Sequence, residues 1–171
     1  MIVNIAELSA GAGKAVPFAF RVSADDMDAV SDDCSFEGLI AVEGRVVDTG
    51  TCYRAEGVIE CKRRFNCDRC LDPCVEEQGI RFSEEFRRGS DEGTADEDAN
   101  VFDGDALDIT ALVRDTLLAA QPLSNICKPE CKGLCPVCGT NLNHGDCGCD
   151  RFLPDPRLAA LQQLKLGDEQ L

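Results

Sequence analysis

Residues 36–65 read FEGLIAVEGRVVDTGTCYRAEGVIECKRRF, and the alternation inside this stretch decides the fold. Phe36, Ile40, Val42 and Val46 fall on one face; Glu37, Glu43 and Arg45 fall on the other. Asp48-Thr49-Gly50 then reads as a turn. Beyond it Tyr53, Ala55, Ile59, Cys61 and Phe65 share a face against Arg54, Glu56, Glu60 and Lys62. A period of two on both sides of a turn predicts a long antiparallel hairpin, one face buried and one wet.

The pattern extends outward in both directions. Residues 15–22 (AVPFAFRV) read as a strand, with Pro17 favouring an edge or the strand start because it has no N–H to give to a ladder. A further strand is expected over about 76–87, where Ile80, Phe82 and Phe86 are in phase, and a short one within 101–109. Ile109, Leu112, Val113, Thr116, Leu117 and Ala120 recur at helical spacing, so a helix packs on the sheet. Asp108 or Thr110 caps it, and Pro122 stops it. A second helix is expected from Asp155 as N-cap and Pro156 at its first position, with Leu158, Leu161 and Leu164 on one face. The fold class is α+β: an antiparallel, strongly curved sheet or partial barrel with a packed helix, plus a small cysteine-rich C-terminal module. The expected division is a body over 1–123 and a tail over 124–171.

The tail cannot be held by a hydrophobic core. Six cysteines fall within residues 127–149, among few large apolar side chains. Cys135-Pro-Val-Cys138-Gly139 is a knuckle, two thiolates on a tight turn whose glycine is free to adopt positive φ. Cys147 and Cys149 return two more sulfurs from a second turn. Four thiolates make the closed tetrahedral set of a structural zinc site, with an iron–sulfur cluster, disulfides or free thiols as the alternatives. His144, the single histidine, lies in the same stretch and is either a ligand in place of one sulfur or a solvated loop side chain. Cys67-Asp-Arg-Cys70 is a second knuckle with no second pair beside it, and Cys127 and Cys131 are left over. Joining these four gives a second zinc site that clamps the tail to the body, for one or two ions per chain; Cys61 and Cys74 compete for the same role. Cys34 and Cys52, and equally Cys61 and Cys74, also read as small buried side chains. The N-terminus carries no basic segment followed by an apolar one, and no apolar run approaches the ~18 residues of a membrane span, so a cytoplasmic protein with metal-bound rather than disulfide-bonded cysteines is expected.

The formal net charge is −15, which argues against broad binding to nucleic acid or anionic membrane. Charge is nevertheless uneven. Residues 89–105 hold seven acids and no base, which reads as a solvated, disordered loop over 89–100 or as an electrostatic lure for a basic partner. Basic residues gather at Lys62, Arg63, Arg64, Arg69, Arg81, Arg87 and Arg88. Of these, Arg63, Arg64 and Arg69 are the candidate contacts to RNA or a partner, the competing reading being charge balance on the outer face of the sheet. No glycine-rich phosphate loop precedes a helix, no Ser/His/Asp or Cys/His arrangement presents itself, and a closed four-sulfur site leaves no open coordination position. An enzyme is therefore not expected, nor a small-molecule substrate.

Cys67-Asp-Arg-Cys70-Leu71 after a long hairpin, an acidic loop, a helix ending in Pro122-Leu123, the run Cys131-Lys-Gly-Leu-Cys135-Pro-Val-Cys138-Gly-Thr-Asn-Leu-Asn143 and Asp155-Pro-Arg-Leu158 together resemble the YceD family of bacterial and plastid proteins associated with accumulation of large-subunit ribosomal RNA. The resemblance covers nearly the whole chain, and the tail run is its most specific part. It implies a non-catalytic ribosome-biogenesis factor that supports processing or accumulation of large-subunit (23S) ribosomal RNA, with a pre-ribosomal particle or ribosomal protein as partner and direct binding to naked RNA disfavoured. The alternative is a zinc-dependent adaptor or chaperone for one basic ribosomal protein.

Overall fold

In a computed structural model of the chain, residues 1–31, 33–89, 100–151 and 157 are described. The elements run β1 (Ile2–Asn4), β2 (Ala15–Val22), β3 (Cys34–Asp48), β4 (Tyr53–Asn66), β5 (Pro73–Arg88), β6 (Asn100–Phe102), β7 (Ala106–Asp108) and α1 (Thr110–Ala119), with short 3-10 turns at Ala6–Ala10 and Asp25–Met27. The second expected helix, from Asp155 to Leu164, and the acidic segment over 90–99 lie outside the described residues.

The hairpin is where the alternation places it. Tyr53 pairs with Asp48 and Phe65 with Cys34, so β3 and β4 run together over their whole length. Between the pairs Glu37↔Lys62 and Ala41↔Glu60, β3 advances four residues while β4 advances two. The two extra residues are an even number, so the side-chain phase survives the bulge: Phe36 stays on the core side with the fully buried Ile40 and Val42, and Leu39 is left exposed. Five strands assemble in the order β2-β3-β4-β5-β6, antiparallel except for β6, which joins β5 in parallel; β1 and β7 form a separate two-stranded pair. Pro17 sits on the edge strand β2.

Two glycines allow the core face to close over this hairpin. Gly44 and Gly57 are directly paired. A Cβ on Gly44 would lie 2.7 Å from the Phe18 ring and 2.3 Å from the carbonyl oxygen of Glu56; one on Gly57 would lie 2.8 Å from the Phe82 ring and 2.4 Å from that of Glu43. The missing side chains make room for Phe18 and Phe82, which come in from β2 and β5 and stack with centroids 6.4 Å apart.

The sheet is open, not the strongly curved sheet or partial barrel that the sequence suggested. Its two edges, β2 and β6, do not meet. The apolar face is covered instead by other elements: Val3, Ile5 and Leu8 from the N-terminal segment, Leu107 from β7, and Ile109, Val113 and Leu117 from α1 are buried with Ile40, Val42, Val46, Ala55 and Ile59 in one cluster. A sheet whose face is roofed by a helix has no need to curl back on itself to exclude water. The α1 stripe is the one read from the spacing at Ile109, Val113 and Leu117, with Leu112 and Thr116 half-buried; Ala120, at the C-cap, is exposed. Neither expected residue is the N-cap, which is Ile109 with no side-chain cap; Asp108, one residue earlier, instead accepts the Thr110 N–H on Oδ1 at 2.9 Å and the Thr110 hydroxyl on the same oxygen at 2.6 Å. No helix among the described residues is long and apolar enough to cross a membrane.

Candidate metal centres

The inner centre is built on the turn between β4 and β5. The Cys67 N–H donates to the Asp72 carbonyl and the Leu71 N–H to the Cys67 carbonyl, closing the loop that presents Cys67 and Cys70. Leu71 is held at φ +61°, an uncommon state for a residue with a γ-branch, and the loop's own hydrogen bonds keep it there. The tail is laced onto this loop by polar contacts. Asp68 Oδ2 accepts the Asn125 N–H at 2.7 Å and the Ser124 hydroxyl at 3.2 Å, and the Asp68 N–H donates to the Asn125 carbonyl at 2.8 Å. The Leu134 N–H donates to the Arg69 carbonyl, and the Asn141 amide to Asp72 Oδ2 at 2.9 Å.

These contacts bring Cys127 and Cys131 to Cys67 and Cys70. Cys67 Sγ lies 3.8 Å from Cys131 Sγ, and Cys70 Sγ lies 3.7 Å from Cys127 Sγ. All four sulfurs are within 4.8 Å of one another. Four Zn–S bonds of ~2.3 Å arranged tetrahedrally have sulfur–sulfur edges of ~3.8 Å, whereas a disulfide needs ~2.05 Å. The set therefore fits a tetrahedral metal. Donors already point at sulfur, among them the Cys127 N–H toward Cys67 and the Asn143 amide toward Cys131, each at 3.4 Å.

Proton affinities within the set diverge. Burial works against the Cys67 thiolate, but the backbone N–H groups of Cys127, Cys70 and Arg69 outweigh it and bring the thiol down to about 6. The Asn143 amide holds Cys131 low, against its burial. Burial pushes Cys127 up, and neighbouring sulfurs add to the shift. At Cys70 the Asp72 N–H favours the thiolate, yet burial and the other three sulfurs prevail and push the thiol up. Four sulfurs this close cannot all ionise beside one another unless a cation sits among them.

The outer centre is the tail's own. Cys135, Cys138, Cys147 and Cys149 also bring their sulfurs within 4.8 Å of one another. Gly139, at φ +75°, donates its N–H to the Cys135 carbonyl at 2.9 Å, and Cys135 donates its own to Thr140. Gly139 thus closes the knuckle in a backbone state open to it for want of a Cβ. The Thr140 hydroxyl and N–H bring Cys138 down to about 6; the N–H groups of Cys138 and Val137 lower Cys135; and crowding by Cys138 and Cys147 pushes Cys149 up to about 12. Cys138 is exposed, Cys147 and Cys149 are half-buried, and Cys135 is buried; in the inner set only Cys127 is not fully buried.

The remaining candidates separate from these centres. Cys61 is buried in the sheet core, Cys34 faces Gln121, and Cys52 lies 3.1 Å from the Thr49 hydroxyl. His144 is exposed, with Nε2 3.5 Å from Asp72 Oδ2, and belongs to neither sulfur set. Cys74 packs against the inner set.

The three candidate contact arginines do not form one surface. Arg63 is 3% exposed. Its guanidinium donates to Asn125 Oδ1 at 2.7 Å and Glu76 Oε2 at 3.0 Å, reaches Gln121 Oε1 at 3.4 Å, and lies 4.3 Å from the centre of the Phe65 ring. As a contact to RNA or a partner Arg63 is thus withdrawn; it ties β4 to β5, to the end of the helical segment and to the start of the tail. The signal was in the alternation, since Arg63 has the parity of Ile59, Cys61 and Phe65. Arg64 is ion-paired with Glu37, and Arg69 donates to the Cys131 carbonyl at 3.2 Å. Across the wet face Arg45 pairs with Glu56, Arg54 with Glu85 and Lys62 with Glu77. Among the described residues of this face, Arg45, Arg54, Lys62 and Arg64 are each balanced by a carboxylate. Asp68, Asn141 and Asn143 lie inside the runs that carry the family resemblance but had no role assigned there, and Asn125 lies outside them; their roles arise only from tail meeting turn.

Residues 55–165 match the family described as large ribosomal RNA subunit accumulation protein YceD. The chain belongs to the YceD family. The match begins in β4 and takes in both cysteine sets. An uncharacterized protein of Mycobacterium tuberculosis is 28% identical over 134 residues, covering 77% of this chain and 64% of its own length. The maize protein named large ribosomal RNA subunit accumulation protein YCED homolog 1, chloroplastic, is 29% identical over 128 residues, 56% of this chain and 43% of that protein. Its Arabidopsis thaliana namesake is 36% identical over 59 residues, 34% of this chain and 18% of that protein. The chain thus spans just under two thirds of its mycobacterial relatives and less than half of the plant YceD proteins. No solved structure matches.

Proposed function

We propose that this chain is a non-catalytic factor in biogenesis of the large ribosomal subunit, acting in the cytoplasm to support accumulation of its RNA. The observation that carries this reading is the YceD match over residues 55–165, in a family named for that accumulation. Zinc is the metal that suits both four-thiolate sets, held by Cys67, Cys70, Cys127 and Cys131 and by Cys135, Cys138, Cys147 and Cys149. Its chemistry there is structural, cross-linking segments that bury little apolar surface. Four sulfurs per centre supply a full tetrahedral shell, which speaks for structure over catalysis.

The partner surface is protein rather than naked RNA. A net charge of −15 repels a polyanion, and Arg45, Arg54, Lys62 and Arg64 are each matched by a carboxylate across the sheet. The same acidity supports the second reading, an adaptor or chaperone for one basic ribosomal protein. Sedimentation of a tagged chain with large-subunit precursors tests the first. Repeating the pull-down after nuclease separates the two: a factor riding on pre-ribosomes loses its partners when RNA is digested, and an adaptor keeps one basic protein. A chain that neither co-sediments nor retains a basic protein would refute both.

A further inference from the structure

A fifth cysteine, Cys74, packs beside the four sulfurs of the inner centre. Cys74 is the second residue of β5, fixed in the ladder opposite Phe65 of β4. Together with Ile126 and Cys127 it packs against the buried group of Cys67, Cys70 and Cys131. Its thiol is directed at the Asp72 carbonyl oxygen, 3.5 Å away, on the loop that presents Cys67 and Cys70. The body therefore supplies Cys67 and Cys70 from the turn and holds Cys74 beside them at the start of β5, and the tail supplies Cys127 and Cys131.

The two tail sulfurs are not equally held. Cys131 is buried, receives the Asn143 amide on its sulfur and the Arg69 guanidinium on its carbonyl. Cys127 is half-buried and is followed by the exposed Lys128, Pro129 and Glu130. Cys127 is thus the corner most open to exchange.

We propose that Cys74 is an alternative ligand of the inner centre, taking the corner of Cys127 when the Cys127 segment lifts away. The inference rests on the reading of this centre as a metal site. In the exchange the metal–sulfur bond to Cys127 breaks and one to Cys74 forms. Cys74 gives up its thiol proton, the departing Cys127 thiolate takes one up, and no electron moves. The centre keeps four thiolates and the same charge throughout. The consequence is that the segment around Asn125 to Cys127 can open without loss of the ion, so that tail movement and metal release are separate events.

The test uses the full chain loaded with zinc, treated with N-ethylmaleimide and read cysteine by cysteine by mass spectrometry. In the wild type Cys74 is expected to be alkylated and Cys127 protected. In Cys127→Ser, Cys74 becomes protected and the zinc content stays at the wild-type value. In the Cys74→Ser, Cys127→Ser double variant the inner ion is lost and Cys67, Cys70 and Cys131 become reactive. Cys74 remaining reactive in Cys127→Ser, or that variant losing as much zinc as the double variant, overturns the exchange. A second measurement needs no ligand removed: Cys74→Ser keeps all four corners, and zinc should pass from it to an added chelator faster than from the wild type, because a departing Cys127 then has no replacement. Equal release rates would also overturn the proposal. A wild type that binds no zinc overturns the metal reading itself, which keeps the two failures apart.

Discussion

The sheet body and the cysteine tail are held by different forces. In the body Ile5, Leu8, Ile40, Val42, Val46, Ile59, Leu107, Ile109, Val113 and Leu117 are removed from water altogether. Across the described tail from Pro122 to Arg151, Leu142 is the one large aliphatic side chain that is buried; the other buried side chains are Asn125, Cys131 and Cys135. At roughly 25 cal/mol per Å² of apolar surface removed from water, the body draws its stability from burial. The described tail has almost none to draw on, and its two four-cysteine sets could hold metal. The contrast is between a body packed on apolar surface and a tail packed around cysteines, joined where the β4–β5 turn carries both a strand end and half of the inner cysteine set.

Chelation should divide the two regions most sharply. Structural zinc is worth on the order of 10 kcal/mol in small modules, so stripping it is expected to abolish amide-exchange protection over 124–150 while β3 and β4 stay protected. The Cys138→Ser variant should reproduce the loss over the outer knuckle. Simultaneous loss across 36–65 would show that body and tail are one cooperative unit. Because thiolates must be ionised to hold the ion, acid should release it and unfold the tail before the sheet responds.

Arg63 probes the seam. Arg63→Met keeps the stem against Phe65 but strips partners from Asn125 and Glu76. Leaving the buried Asn125 unpaired should lower stability by about 1–3 kcal/mol, while Glu76, which is half exposed, turns to water. Metal should be held more weakly at the inner centre and unchanged at the outer one, read by chelator competition on each single-centre variant. Equal weakening at both centres would mean that the tail senses the body through more than this joint.

Gly57→Ala tests the body alone. Its Cβ would meet the Glu43 carbonyl at 2.4 Å and the Phe82 ring at 2.8 Å, an overpacking expected to destabilise the sheet by about 1–3 kcal/mol. Denaturant unfolding followed by near-ultraviolet signals should record it, with zinc content unaltered. The smallest effect is expected at Asp108. Burial raises its carboxyl, but Thr110 and the N-terminal ammonium 3.3 Å away outweigh it, so the folded value lies below the ordinary one. Such a group contributes stability that is present above the ordinary carboxylate range and is lost as pH falls through the folded value. The side chain is largely exposed, and solvent screening keeps the contribution within about 1 kcal/mol. Asp108→Asn should therefore flatten only the acid limb of the stability–pH curve of the sheet.

Much of the body was legible because a period of two or of 3.6 survives any tertiary detail. Phe36, Ile40, Val42 and Val46 against Glu37, Glu43 and Arg45 name a two-faced strand, and Ile109, Val113 and Leu117 name the covered face of a helix. The same parity placed Arg63 inside, a signal easily overridden by the habit of reading arginine as surface. Closure of the sheet was not legible, because it depends on whether another element covers the apolar face, and that is decided by α1 and the N-terminal segment arriving there.

The cysteines divide along the same line. Cys135, Cys138, Cys147 and Cys149 lie within 15 residues, so their local turns bring the sulfurs together and the spacing names the set. Cys67 and Cys70 lie 57 residues or more from Cys127 and Cys131, and spacing carries no information across such a distance. Their meeting depends on Asp68, Asn125 and Asp72 pairing backbone and side chain between turn and tail. Sequence by itself determined β2 to β5, the helix and the knuckles, whose causes act within a few residues, but not β1, nor that the one short strand expected within 101–109 is two, β6 and β7. Only the tertiary structure decided which knuckle meets which pair, that Cys74 stands beside them, and that Arg63 is the bolt between sheet and tail, because those choices are made by long-range contacts that no local pattern encodes.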